Sequence, residues 1–282
     1  MKNISTLVED IHTLAKDGKK IEVQDIQTCK DFGTSMFNLM KQFLDENNKG
    51  KREFRLRGSN FGKPCTRQLW YDNHGGKTEE FEAPQLIKFF FGHMLEEVLL
   101  TFSKAAGHTV TGEQEEHNRE GVLGHQDARI DGELVDVKSA STYSYNKFKS
   151  GELNSSTDGF GYLPQLSFYR KDPTEPAHFL VIDKTLGNIC LHTPKSGDMV
   201  KDVDEKIRNV KDEINMDEPP KRAFEDLPDG KSGNRKLAPT CSYCPHKHEC
   251  WEGLRTFLYS DKPRFLTVVE REPKVMEITN ND

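Results

Sequence analysis

No stretch of this 282-residue chain is apolar for long enough to cross a bilayer. The first twenty residues lack a secretory apolar core: they open Met-Lys but carry Glu9, Asp10 and Asp17. Both absences predict an intracellular, cytoplasmic protein with no membrane partner. There is no Gly-x-x-x-x-Gly-Lys-(Ser/Thr) run, so no P-loop ATPase accompanies the rest. No internal repeat is visible. Positive charge is not in excess either: 40 Lys and Arg stand against 46 Asp and Glu, a formal net charge of -6. Total charge therefore does not argue for nucleic acid. Hydrophobic residues make up 34% of the chain, enough for one large domain or for a core with helical additions.

Apolar spacing predicts helices over 3–16 and 31–46, and a helix capped by Ser59 that runs through Leu69-Trp70-Tyr71 to Gly75-Gly76. A longer helix is predicted over 84–106, with Pro84 in its first turn. Strands follow near 109–116, 122–130 and 133–138, with a hairpin turn at Asp131-Gly132. Two helices fit 142–170, broken around the Gly- and Ser-rich segment 151–161. Strands near 176–183 and 188–192 and a polar helix over 199–215 come next. Residues 217–240 read as a loop or linker, and the last cysteines and a short tail follow. The expected organisation is a helical N-terminal region (1–50), a core (51–216), the linker, and a C-terminal cysteine segment (241–282). The order of elements predicts a mixed α/β fold.

Asp136 and Lys138 are two apart on a strand and share a face. Asp127 lies across the predicted hairpin from Asp136, so both carboxylates can face one divalent cation. A hard cation such as Mg²⁺ or Mn²⁺ takes carboxylate and carbonyl oxygens, and Mn²⁺ also accepts imidazole. Asp127, Asp136, the Val137 carbonyl and His93 of the long helix are the expected ligands. Lys138 would orient or deprotonate the attacking water while the metal polarises a phosphate. Gln165 and Tyr169, four apart, share a helix face and would complete the catalytic set. A basic cluster, Lys51, Arg52, Arg55, Arg57, Lys63, Arg67 and Lys77 against Glu53 and Asp72, offers a local path for phosphates in an acidic protein.

Cys241, Cys244 and Cys250 crowd into a short polar segment, and thiolate softness selects zinc or iron–sulfur over Mg²⁺. Three thiolates leave one ligand to find. His246, His248 and the distant Cys65 are the candidates, and spacing does not choose between the two metals. Cys29 and Cys190 read as packing residues.

In order, His93, Asp127, Asp136-Val137-Lys138 and Gln165-Leu-Ser-Phe-Tyr169 resemble the PD-(D/E)xK nucleases of the RecB-like branch, with Asp136 where Glu is commoner. Cys65-Thr-Arg-Gln-Leu-Trp-Tyr71 before that set and Cys-x₂-Cys-x₅-Cys after it resemble the iron–sulfur nucleases of the Cas4, AddB and Dna2 type, in a small stand-alone bacterial or viral form. The resemblance implies a restriction-endonuclease-like sheet flanked by helices. It implies a [4Fe–4S] cluster on Cys65, Cys241, Cys244 and Cys250, with zinc as the alternative. It further implies a Mg²⁺- or Mn²⁺-dependent DNA nuclease, foremost an exonuclease acting on ends or single-stranded segments. An inactive or accessory DNA-binding protein that keeps the zinc or iron–sulfur site is the alternative. Recombination, replication or CRISPR adaptation would supply its protein partners, in the host cytoplasm if the source is viral.

Overall fold

The computed structural model describes residues 2–46, 53–76, 83–260 and 262–278. It divides into two compact units, residues 1–62 with 81–207, and residues 63–80 with 208–282.

The first unit is a five-stranded mixed sheet with helices packed on both faces. After a 3₁₀ turn at Ile4–Thr6 come α1 (Leu7–Asp17) and α2 (Val23–Leu44). α2 begins eight residues before the expected start. Asp25 explains this, since its carboxylate accepts the Glu22 N–H at 2.9 Å and closes the helix N-terminus. α4 (Ala83–Ala105) contains Pro84 in its first turn, as expected. Next come β1 (Val110–Thr111), β2 (Glu116–Arg119), β3 (Val122–His125), β4 (Ala128–Ile130) and β5 (Glu133–Ala140). The chain then forms α5 (Thr142–Lys149), α6 (Tyr162–Tyr169), β6 (Ala177–Asp183) and β7 (Ile189–His192). α7 (Val203–Ile214) carries it towards the second unit.

The central sheet has the order β1-β4-β5-β6-β7. The turn at Asp131-Gly132 joins β4 to β5 with φ of 53° and 90°, the paired left-handed conformations of a tight hairpin. The stretch expected as one run of antiparallel strands is divided. β2 and β3 form their own two-stranded sheet, and β5 pairs with β6 in parallel.

Alternation along β5 and β6 sends residues to two cores. Leu134, Phe179 and Val181 pack with Phe148, Leu163 and Phe168 of α5 and α6. Val135, Val137, Leu180 and Ile182 pack with Leu7, Ile11, Leu99 and Leu100 of α1 and α4. Asp136 therefore belongs to the α5 and α6 face by its register with Leu134. It is only 1% exposed, a carboxylate inside an apolar layer.

The second unit contains α3 (Thr66–Asn73), α8 (Pro239–Ser242) and α9 (Lys247–Cys250). Its sheet, β12-β10-β11-β9-β8, uses β8 (Leu227–Pro228), β9 (Arg235–Lys236), β10 (Arg255–Tyr259), β11 (Lys262–Val268) and β12 (Glu277–Ile278). This sheet occupies segments expected to be linker and tail. The N-cap of α3 is Cys65, whereas Ser59 lies in a turn ahead of it. Asn73 and Trp70 anchor α3 by donating to the carbonyls of Ile214 and Met216, at 3.0 and 2.8 Å. No described helix is long and apolar enough to cross a membrane.

Candidate functional site

The buried strand β5 brings Asp136 and Lys138 together on one face. Lys138 Nζ lies 2.5 Å from Asp136 Oδ2, with the lysine side chain 17% exposed. Asp127 sits just before β4, one residue beyond the last ladder pair, Ala128 with Val135. Its Oδ2 accepts the backbone N–H of Val137 at 2.6 Å, so the side chain extends the ladder by one bond. α6 closes the centre from its own face. Gln165 Oε1 lies 3.4 Å from Lys138 Nζ, and Lys138 Nζ is 5.2 Å from the centre of the Tyr162 ring.

A third acidic residue belongs to this centre and sequence reasoning passed over its role. Glu96 of α4 holds the amide of Gln114 through Oε1 at 2.9 Å. The charges of Asp127 and Asp136 act on it directly. Its signal was present in the sequence as an acid one turn beyond His93, between Leu95 and the buried Leu99. The expected ligand His93 instead stands exposed on the same helix.

Burial sets the protonation of these groups. Desolvation, then the neighbouring charges of Asp127 and Asp136, pushes the Glu96 carboxyl up to about 8. Asp127 is pushed up to about 7 by desolvation and the charge of Asp136, against the pull of Lys138 and the Val137 N–H. Burial also raises Asp136, opposed by Lys138. Lys138 is held above the ordinary ammonium range because the carboxylates outweigh its desolvation. Tyr169, buried beside Gln165, is raised by desolvation and by the charges of Asp136 and Asp127. The result is one permanent cation among carboxyl groups that exchange protons near neutrality.

Tyr169 also connects this centre to a basic segment. A Cβ built on Gly58 would lie 3.1 Å from Tyr169 Oη and 2.9 Å from the Phe168 ring, so the chain from Arg55 to Gly58 runs close over α6. Arg55 and Arg57 on that segment are exposed. Lys63 and Arg67 belong to the second unit, where Arg67 donates to the Pro220 carbonyl at 2.8 Å. Lys51, Arg52 and Lys77 lie outside the described residues.

The expected divalent-metal centre requires correction. Among the described residues no group of three or more His, Cys, Asp or Glu side chains is arranged to hold a metal ion. Local chemistry gives the reason. Asp136 is already neutralised by Lys138, Asp127 gives Oδ2 to Val137 N–H, and the His93 side chain is at the surface. The Mg²⁺ or Mn²⁺ cofactor does not stand, nor does the metal-dependent deoxyribonuclease or exonuclease built on it.

The same finding removes the [4Fe–4S] cluster and the alternative zinc site. Cys65, Cys241, Cys244 and Cys250 do line one pocket of the second unit, but all are free thiols around a cavity of ≈ 30 Å³. Burial, reinforced by the neighbouring cysteines, pushes Cys241 up to about 12 and Cys244 up to about 11. His246, the other candidate ligand, is buried and engages Asp72 Oδ1 at 2.7 Å. The accessory reading with a structural zinc or iron–sulfur site loses that site as well. Protein prepared without oxygen is expected to be colourless and to contain neither stoichiometric iron and sulfide nor zinc. Brown protein that bleaches on Cys65→Ser would reverse this correction.

No known family model matches the chain. No curated protein matches it. One solved structure, that of the protein SSO0001, is similar at 14% identity, with a TM-score of 0.36 over 75% of this chain and 93% of that one. Likeness at that level carries no function. Membership of the PD-(D/E)xK superfamily and of its iron–sulfur nuclease branch is therefore corrected too: no family comparison supports it, and the metal groups it requires are not assembled among the described residues.

Proposed function

We propose that this chain binds nucleic acid, DNA ends or single-stranded segments foremost, beside a proton-exchanging centre in which Lys138 is the fixed cation. The observation that carries this reading is the convergence of Asp127, Asp136 and Glu96 on the half-buried Lys138. Such a centre can give or take a proton at neutral pH while the ammonium steadies developing negative charge. Catalytic roles are assigned to Asp127, Asp136 and Lys138, with Gln165 and Tyr169 positioning them.

The DNA path is assigned to Arg55 and Arg57, exposed on the segment that crosses Tyr169. Phosphate contacts from such side chains are independent of sequence and sensitive to salt. The five-stranded sheet with one parallel pair is taken as restriction-endonuclease-like at the level of strand arrangement, which carries no activity with it. Action in the cytoplasm is part of the same reading.

Fluorescence anisotropy with a labelled single-stranded oligonucleotide tests it. Arg55→Glu with Arg57→Glu is expected to weaken binding by about tenfold or more at low salt. The slope of log affinity against log salt should shrink by roughly 0.7 per lost contact on a single strand. Undiminished affinity would move the path elsewhere. Absence of any binding at low salt would remove nucleic acid as the partner.

A further inference from the structure

The first unit contains a second polar cavity, of ≈ 260 Å³, away from the carboxylate and lysine centre. Its wall is the junction after α6 together with the start of α7. Arg170, the residue that ends α6, lies in this wall and is 7% exposed. Its Nε donates to the Glu175 carbonyl at 2.9 Å. The guanidinium has no carboxylate within ion-pair distance among the described residues. The nearest candidate, Glu175, is already committed: one oxygen pairs with Arg129 and the other accepts the Lys171 N–H, each at 2.5 Å. Burial accordingly holds Arg170 below the ordinary guanidinium range, against the pull of Glu175 and Asp172.

Three further cationic side chains and a helix start share the wall. Arg119 is fastened in place by donating to the Arg170 carbonyl at 2.8 Å. Lys171 and Lys201 are exposed at the rim. Val203 and Asp204 open α7, a 12-residue helix whose first-turn N–H groups have no partner within the helix.

Three acidic residues share the wall, and two of them, Asp172 and Asp202, are engaged in hydrogen bonds. Asp172 Oδ1 holds the backbone and hydroxyl of Thr174. Asp202 Oδ1 caps α7 by accepting the Glu205 N–H at 2.8 Å. Asp204 Oδ1 accepts no hydrogen bond and is offset by Arg119 at 3.9 Å. Ser167 fixes the opposing segment, since its hydroxyl donates to the Leu163 carbonyl and accepts the Val200 N–H.

We propose that this cavity binds a phosphate group, with Arg170 as the buried ligand and Lys171 and Lys201 as the rim. A planar guanidinium with free terminal nitrogens, backed by a helix N-terminus, suits a tetrahedral oxyanion by charge and by geometry. The phosphate can arrive as a small free phosphoanion or as the terminal phosphate of a nucleic-acid strand. The proposal rests on this cavity alone and holds whether or not the carboxylate and lysine centre exchanges protons.

Calorimetric titration of the full chain with inorganic phosphate at neutral pH tests it. Saturable binding is expected, weakened about tenfold or more by Arg170→Gln and severalfold by Lys171→Gln with Lys201→Gln. The double variant alters only exposed residues, so it decides the matter if Arg170→Gln fails to fold. Competition with matched 5′-phosphorylated and 5′-hydroxyl oligonucleotides separates the sources. Displacement by the phosphorylated strand alone assigns a strand end, and displacement by neither assigns a small phosphoanion. No saturable phosphate binding, or binding unchanged in the double variant, overturns the proposal.

Discussion

Lys138→Met is expected to destabilise the first unit by about 3–5 kcal/mol, the range for leaving one partner of a buried ion pair uncompensated. Asp136 is 1% exposed, and Lys138 is the cation at 2.5 Å from its carboxylate. Methionine keeps the length and apolar stem of lysine, so the change isolates the charge. Without the ammonium, Asp136 must be buried ionised or must take a proton. Acid supplies that proton, so the loss should be smaller near pH ~5 than near pH ~8. Thermal unfolding followed by circular dichroism should show a drop of roughly 10 °C near neutrality. Lys138→Arg should recover much of it by restoring the charge. A methionine variant as stable as wild type at both pH values would mean that the ion pair is not what neutralises Asp136.

Glu96→Gln with Asp127→Asn is expected to act in the opposite direction. Both carboxyls are raised in the folded protein, to about 8 and about 7, from ordinary values of 4.5 and 3.8. Between those limits the folded state binds more protons than the unfolded chain. Stability therefore falls as pH rises from about 4 to about 8, and the penalty is complete above that. The amides cannot ionise, so the double variant should escape it. Asparagine can still accept the Val137 N–H, and glutamine can still accept from Gln114. The expected gain is about 1–2 kcal/mol near pH ~8 after allowing for partial exposure, and little near pH ~4. A variant no more stable than wild type at the higher pH would show that these carboxyls are ionised without cost.

The sequence was most legible where local chemistry and tertiary structure agree. Asp131-Gly132 is a hairpin turn because both positions take left-handed φ, and the flanking residues alternate. The break between α5 and α6 falls on glycine and serine as composition indicates. Asp136 and Lys138 share a face because the strand period is two, whichever neighbours the strand pairs with. Partnering was less legible. β5 reads equally well as an antiparallel or a parallel neighbour, since a strand buried on both faces has no polar side to fix its partner.

The second sheet was missed for a different reason. Its strands carry exposed charge, as in Arg255–Tyr259 and Lys262–Val268, and so read as a polar tail. What organises them is nonlocal. Phe257 and Leu266 are buried, and Arg255 pairs with both Glu272 and Glu277. Within the candidate site, residue types were legible and partners were not. Two carboxylates and a lysine suggest a metal with its catalytic base, but the fold makes the lysine itself the counter-ion. Glu96 was given no role because the neighbouring His93 looked like the better ligand. Its inward position depends on helix rotation that only the packed core fixes.

The central claim is that a permanent ammonium sits among carboxyls that exchange protons near neutrality. Carbon-13 NMR of protein labelled at the Asp and Glu side-chain carboxyls measures this directly as a pH titration. The account predicts two resonances with midpoints at about 7 and about 8, assigned by their loss in Asp127→Asn and Glu96→Gln. Titration of every carboxyl in the ordinary range near ~4 would contradict it.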